Sequence, residues 1–122
     1  RPIVKFDKIQ KPYGFLCYSP FNSQNTFLAR EVIPYYSVFP HVGRMDDIWG
    51  GYVLQFYFPN SLVYNKASVY QQRNEQDLVT NLEKEILGYR YTTDLIQKLN
   101  DWESVVPKET LEYWEAYREC FV

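Results

Sequence analysis

Two adjacent acids, Asp46 and Asp47, followed at once by Ile48-Trp49-Gly50-Gly51, are the residues of this sequence best suited to chemistry. Ile48, Trp49, Tyr52, Val53, Phe56 and Tyr57 recur with the spacing of a helical apolar stripe. The acids therefore stand where that helix begins, and free backbone N–H groups and the helix dipole stabilise carboxylates there. Asp46 suits the capping position. Asp47 is then free to project from the first turn as a positioned base or a hydrogen-bond acceptor. Gly50 and Gly51 lie inside the helical pattern, where each costs roughly 1 kcal/mol relative to alanine. Close approach of a ligand or of neighbouring backbone is the natural reason for such a pair. The structural reading of the same residues is a capping acid pair and a tight helix–sheet crossing, and spacing alone favours it.

Two flanking segments carry polar side chains of the right kind for ligands. Asn22-Ser23-Gln24-Asn25-Thr26 places five hydrogen-bonding side chains in a row. The carboxamides of Asn22, Gln24 and Asn25 offer both donors and acceptors, as sugar hydroxyls require. An ordinary capping loop before the next helix is the plainer reading. Gln71-Gln72-Arg73-Asn74-Glu75-Gln76 lies between an expected strand and an expected helix. Arg73 there can pair bidentately with a diphosphate or a carboxylate, or serve as a surface arginine.

The elements that position these segments are short. Residues 1–15 carry Pro2, Pro12 and Gly14 and read as an extended lead-in. Strands are expected at Phe15–Tyr18, Tyr35–Phe39, Leu62–Tyr64 and Ser68–Tyr70. A short helix is expected over Phe27–Val32, ended by Pro34. The central helix runs from Asp46 to Pro59-Asn60. Another spans Gln76–Leu87 on Leu78, Val79, Leu82 and Ile86, with Gly88 as its C-cap. Thr93 opens a helix through Leu95, Ile96 and Leu99, and Pro107 a last one through Leu111, Trp114, Arg118 and Phe121. The sum is an α/β or α+β arrangement, short strands followed by several helices. It is either a small fold or a set of helices over a sheet supplied by other sequence.

Composition bounds the rest. A chain of 122 residues builds one domain or domain fragment over residues 1–122. Its net charge of -2 provides no basic field for nucleic acid, and Lys5, Lys8 and Lys11 mix with acids as solvated surface. No apolar run approaches the ~20 residues that span a bilayer, so no membrane contact is expected from this segment. Cys17 and Cys120 can pair or stay free, and the lone His41 makes a His/Cys zinc site very hard to build. The 12 Tyr, 8 Phe and 3 Trp fit either a groove that stacks on sugars or an aromatic core and interface.

Taken in order, Asn22–Thr26, the run Arg44-x-x-Asp-Ile-Trp-x-Gly-Tyr-x-x-Gln55 and Gln71-x-Arg73-Asn74 resemble the STELLO-type glycosyltransferase family. The similarity covers about residues 15–100. It implies the acceptor-side, C-terminal part of a GT-A-like fold, a nucleotide-sugar donor and a glycan acceptor. It also implies Golgi residence in a eukaryote, with the cytoplasm as the alternative. By that likeness Asp47 is the general base and Asp46 a cap or acceptor-hydroxyl ligand. Arg44 belongs to the substrate-binding set, and Trp49 and Tyr52 shape the acceptor floor. Many GT-A enzymes hold Mn or Mg through an Asp-x-Asp and a later histidine. No Asp-x-Asp occurs in these 122 residues, and Gln76 stands where the histidine is expected. The cofactor therefore stays unassigned, with a divalent cation implied only if an Asp-x-Asp precedes residue 1. The second reading is a non-catalytic carbohydrate-binding or assembly module.

Overall fold

The computed structural model describes residues 11–122, and the expectations for the lead-in before Lys11 lie outside them. Among the described residues three α-helices build the fold: α1 (Asp46–Tyr57), α2 (Leu78–Gln97) and α3 (Lys108–Glu119). Short 3-10 helices at Arg30–Tyr35, Gly43–Met45 and Leu99–Ser104 join them. The expected α/β or α+β architecture is corrected. Among the described residues there is no sheet, so a GT-A-type fold with short strands does not fit.

A single antiparallel bridge joins Tyr13 and Tyr64, with N–H···O distances of 3.0 and 2.7 Å. The segments at 15–18, 35–39 and 68–70 are rich in strand formers but acquire no ladder. Strand propensity reports a fit to a half-buried pleated surface, which a neighbouring strand must supply. Tyr36, Ser37 and Phe39 are buried all the same, because they pack on α1. The backbone of Phe39 donates to the Asp46 carbonyl at 3.0 Å.

α1 matches the sequence expectation and forms the centre. Its residues Trp49 to Gln55 are all buried. Asn60 follows with φ 57, a left-handed conformation that asparagine tolerates, so the chain turns away there. The glycine pair is explained by crowding. A Cβ on Gly50 would collide with the Ser37 carbonyl, and one on Gly51 would stand 2.8 Å from the Phe21 ring.

α2 differs from expectation in extent. It runs unbroken through Gly88 and Thr93, so Gly88 is not a cap. Instead it is buried against the Met45 side chain. Asp77 caps the helix, accepting from the N–H of Val79 and Thr80 at 3.0 and 3.3 Å. The Thr80 hydroxyl, followed by these backbone donors, lowers the Asp77 pKa below its ordinary value. The apolar residues that announce α2 do not pack. Leu78, Val79, Leu82, Ile86 and Tyr89 are exposed, while Leu95 enters the core.

Aromatic residues fill that core. Phe39 stacks on Trp102 at 5.6 Å, and Trp102 meets Trp114 edge-on at 5.0 Å. Trp102 also donates to the Tyr57 hydroxyl at 3.3 Å. α3 is tied across by Thr110 to the Pro40 carbonyl at 2.6 Å and Arg118 to the Pro34 carbonyl at 3.0 Å. The Arg118 guanidinium lies 3.8 Å over the Tyr35 ring, a cation–π contact. Cys17 and Cys120 are both free and exposed, which resolves the open pairing question.

Gly50→Ala should therefore destabilise by about 1–3 kcal/mol, since the clash is with backbone and outweighs the gain in helix propensity. Gly88→Ala meets only the flexible end of Met45 and should cost clearly less. Denaturant midpoints of the two variants check the order.

Candidate functional site

The mouth of α1 is assembled by three stretches of chain. Asp46 and Asp47 occupy its first turn, after the 3-10 helix Gly43–Met45. The formal N-cap is Met45 rather than Asp46, because that 3-10 turn already leads the chain into helical geometry. Asp46 still acts locally, its Oδ1 accepting the Asp47 N–H at 2.8 Å. The loop Asn22–Thr26 folds over this end. Ser23 donates to Oδ2 of Asp47 twice, from its backbone N–H at 2.7 Å and its hydroxyl at 3.2 Å. No described residue donates to Oδ1 of Asp47, and the residue is half-buried. The carboxylate is thus fixed by one oxygen and open at the other.

The loop is braced from within. Thr26 donates to the Asn22 carbonyl at 2.5 Å, and the Gln24 N–H to Asn22 Oδ1 at 3.3 Å. Asn25 reaches across to Ser68 at 3.3 Å. On the opposite side Arg44 is hydrogen-bonded to Asn81, which donates to Gln76 at 3.0 Å.

Behind the acids lies Tyr36. Its ring meets Phe21 at 5.7 Å and lies against Gly50, and its hydroxyl is buried without a protein partner. The Ser37 hydroxyl is buried in the same unpaired state. Burial first, then the carboxylates of Asp47 and Asp46, push the Tyr36 phenol up to about 12. It is therefore a neutral O–H donor at physiological pH.

Below the loop, a groove of about 880 Å³ opens between Phe21–Val32 and Ser61–Ser68. Its floor includes Leu54 of α1. Asp47, Gly50, Gly51 and Leu54 share one helix face, so the acid and the floor are separated by about 10 Å of helix rise. Asp47 does not itself line the groove. A smaller cavity of about 220 Å³ lies against Phe15–Tyr18, Gln55 and Leu62. Gln55 is committed to structure, exchanging bonds with the Ser19 backbone at 3.0 and 2.8 Å.

The residues named from sequence part company here. Asn22 and Asn25 line the groove, whereas Gln24 stays on the exposed outside of the loop. Arg44 is exposed and held by Asn81, and Arg73 is exposed and lines neither described cavity. Trp49 is corrected: it is 1% exposed in the core and donates to Thr92 at 2.9 Å, so it cannot form an acceptor floor. Tyr52 is buried likewise. The apolar stripe that placed both on α1 already implied the core. Phe27, Tyr64 and Ser68 join the groove without having been singled out. The signal was an aromatic directly after the polar loop at Phe27, and strand-like flanks at the other two.

Among the described residues no group of three or more His, Cys, Asp or Glu side chains could hold a metal ion. The Mn or Mg that the resemblance implies belongs to an Asp-x-Asp and a later histidine, and the 122 residues contain no Asp-x-Asp. No described helix is long and apolar enough to cross a membrane. No family model, curated protein or solved structure matches the chain.

Tyr36 should titrate last among the tyrosines, near pH 12, in a spectrophotometric alkaline titration. Its raised pKa favours the neutral folded state, so the associated stability is complete below the ordinary 10.0 and is lost as pH climbs towards 12. In Asp47→Asn the step should move down but stay above 10.0, because burial is the larger cause. Its absence in Tyr36→Phe identifies it.

Proposed function

We propose that this chain handles saccharide hydroxyls as part of a glycosyltransferase-like protein, with Asp47 as general base. The observation that supports the reading is a convergence. Two of the segments that resemble STELLO-type glycosyltransferases are joined by Ser23 to Asp47, and Arg44 of the second is hydrogen-bonded to Asn81, which donates to Gln76, just past the third segment. Residues scattered along the sequence thus gather around one helix mouth. The reading carries no claim of a GT-A sheet, which the described residues lack.

In the proposed step the free Oδ1 of Asp47 accepts the proton of an acceptor hydroxyl. That oxygen bonds to the anomeric carbon of a nucleotide sugar. The bond from the same carbon to the diphosphate breaks, and the nucleoside diphosphate leaves with the electron pair. Ser23 orients the base by holding Oδ2, and Oδ1 has no donor among the described residues. A carboxylate within hydrogen-bond reach of the attacking oxygen contributes roughly 10²–10⁴-fold.

A second reading is a carbohydrate-binding module without catalysis. One observation favours it: the large groove is not lined by Asp47. The two separate by experiment. The full-length protein is incubated with a panel of UDP- and GDP-sugars and glycan acceptors, and nucleoside diphosphate release is followed. Asp47→Asn should lower the rate by roughly 10²–10⁴-fold with unchanged thermal stability. Equal rates remove Asp47 from the mechanism. No turnover by either protein, with glycan binding intact, selects the binding module.

A further inference from the structure

We infer that the groove between Phe21–Val32 and Ser61–Ser68 is a binding site for a neutral oligosaccharide, with Phe27 as its stacking platform. The saccharide class rests on the proposed function; the site does not rest on Asp47. At about 880 Å³ the groove lies within the roughly 300–1,000 Å³ of small-molecule sites. Its lining selects the ligand by chemistry. Leu28, Ala29, Val32 and Leu54 supply an apolar floor, and Asn22, Asn25, Asn65 and Ser68 a rim of carboxamides and a hydroxyl. Such groups offer donors and acceptors together, which suits hydroxyls. Lys66 is the one charged side chain among the lining residues, and a single lysine is too little positive charge to make a field for a polyanion.

Phe27 sets the site apart from an ordinary surface cleft. It is 95% exposed, although it stands beside an apolar floor that could receive it. An exposed aromatic among the lining residues of a groove offers a ring face, on which the C–H face of a sugar can stack while its hydroxyls reach the rim. The two walls keep a fixed spacing. Asn25 and Ser68 hydrogen-bond across at 3.3 Å, and the Tyr64 hydroxyl donates to the Pro20 carbonyl at 2.5 Å. The ring and the rim are therefore presented to ligand without closing of the walls.

The test uses the full chain, a neutral glycan array of hexose and pentose oligomers, and calorimetric titration with the best binder. Saturable binding is expected, with affinity about tenfold or more weaker in Phe27→Ala, the loss of one aromatic stack. Because Phe27 is exposed, its removal should leave the melting temperature unchanged. Asn22→Ala should weaken binding by less. Asp47→Asn should bind as the wild type does even where transfer is lost, which separates this site from the catalytic reading. Wild-type affinity in Phe27→Ala overturns the inference. So does the absence of binding across the array, preference for an anionic oligomer such as hexagalacturonate, or protection of Phe27 by self-association or an apolar peptide in place of sugar.

Discussion

The fold depends on how closely the chain can approach α1 at Gly50 and Gly51. The Ser37 carbonyl occupies the space of one absent side chain and the Phe21 ring that of the other. Two residues on adjacent positions of one helix thus admit two separate stretches of chain. One carries Tyr36, Ser37 and Phe39 towards the core, and the other begins the loop that reaches Asp47. Bulkier residues there would lift both stretches from the helix. Close packing leaves no slack to absorb such a shift, so the glycine pair fixes the position of the loop as well as the density of the core.

The aromatic surplus then takes the place of a sheet. Phe39, Trp102, Trp114 and Tyr57 form a continuous chain of ring contacts from the segment before α1 to α3. Each ring buries a large area, so few residues suffice to join three helices with little regular backbone between them. Polar tips are accommodated along the way: Trp102 reaches Tyr57, and Trp49 reaches Thr92. Trp114 is the exception, its indole N–H buried without a protein partner. On the outer side Arg118 closes the stack over Tyr35 and satisfies the Pro34 carbonyl. Tyrosines assigned by composition to either groove or core thus divide between the two, with Tyr35 and Tyr57 in the packing and Tyr64 at the groove.

How much of this was legible in the sequence follows from the range of each signal. α1 and α3 were readable because part of each apolar stripe packs in the core, Trp49, Tyr52 and Val53 in α1 and Leu111 and Trp114 against it in α3, although α1 is buried on its other sides as well and Phe121 is exposed. α2 was readable as a helix but not in its packing, since its most regular apolar stripe points outward. Gly88 misled because a glycine late in a helical pattern has two uses, termination or close contact, and only the partner, Met45, decides. The strands failed for the same reason. Tyr35–Phe39 carries strand-forming side chains, but pairing needs a second segment, and α1 occupies the surface such a segment would use. At the site, Asp47 and the Asn22–Thr26 loop were visible as types of residue. That Ser23, the least conspicuous of the five, makes the joining contact was not, because its backbone N–H carries much of the bond.

That contact also sets what the site can do. A carboxylate held by two donors on one oxygen loses rotational freedom while its second oxygen keeps both lone pairs. For proton transfer this is an advantage, since the reacting oxygen is aimed before ligand arrives. For simple binding it is unnecessary, because a freely rotating acid would accept a hydrogen bond equally well. The Tyr36 hydroxyl adds a related constraint. A buried phenol without a partner costs about 1–3 kcal/mol, and here it lies within the field of two carboxylates that oppose its ionisation. The mouth of α1 is therefore less relaxed than packing alone would make it, with an aimed acid and an unsatisfied donor on the same end of one helix. The groove beyond it is the opposite case, a surface with Lys66 as its one charged lining residue and walls already bonded across. In the proposed function the groove holds the polyol, and the acid, about 10 Å of helix rise from the Leu54 floor, meets one hydroxyl of the chain.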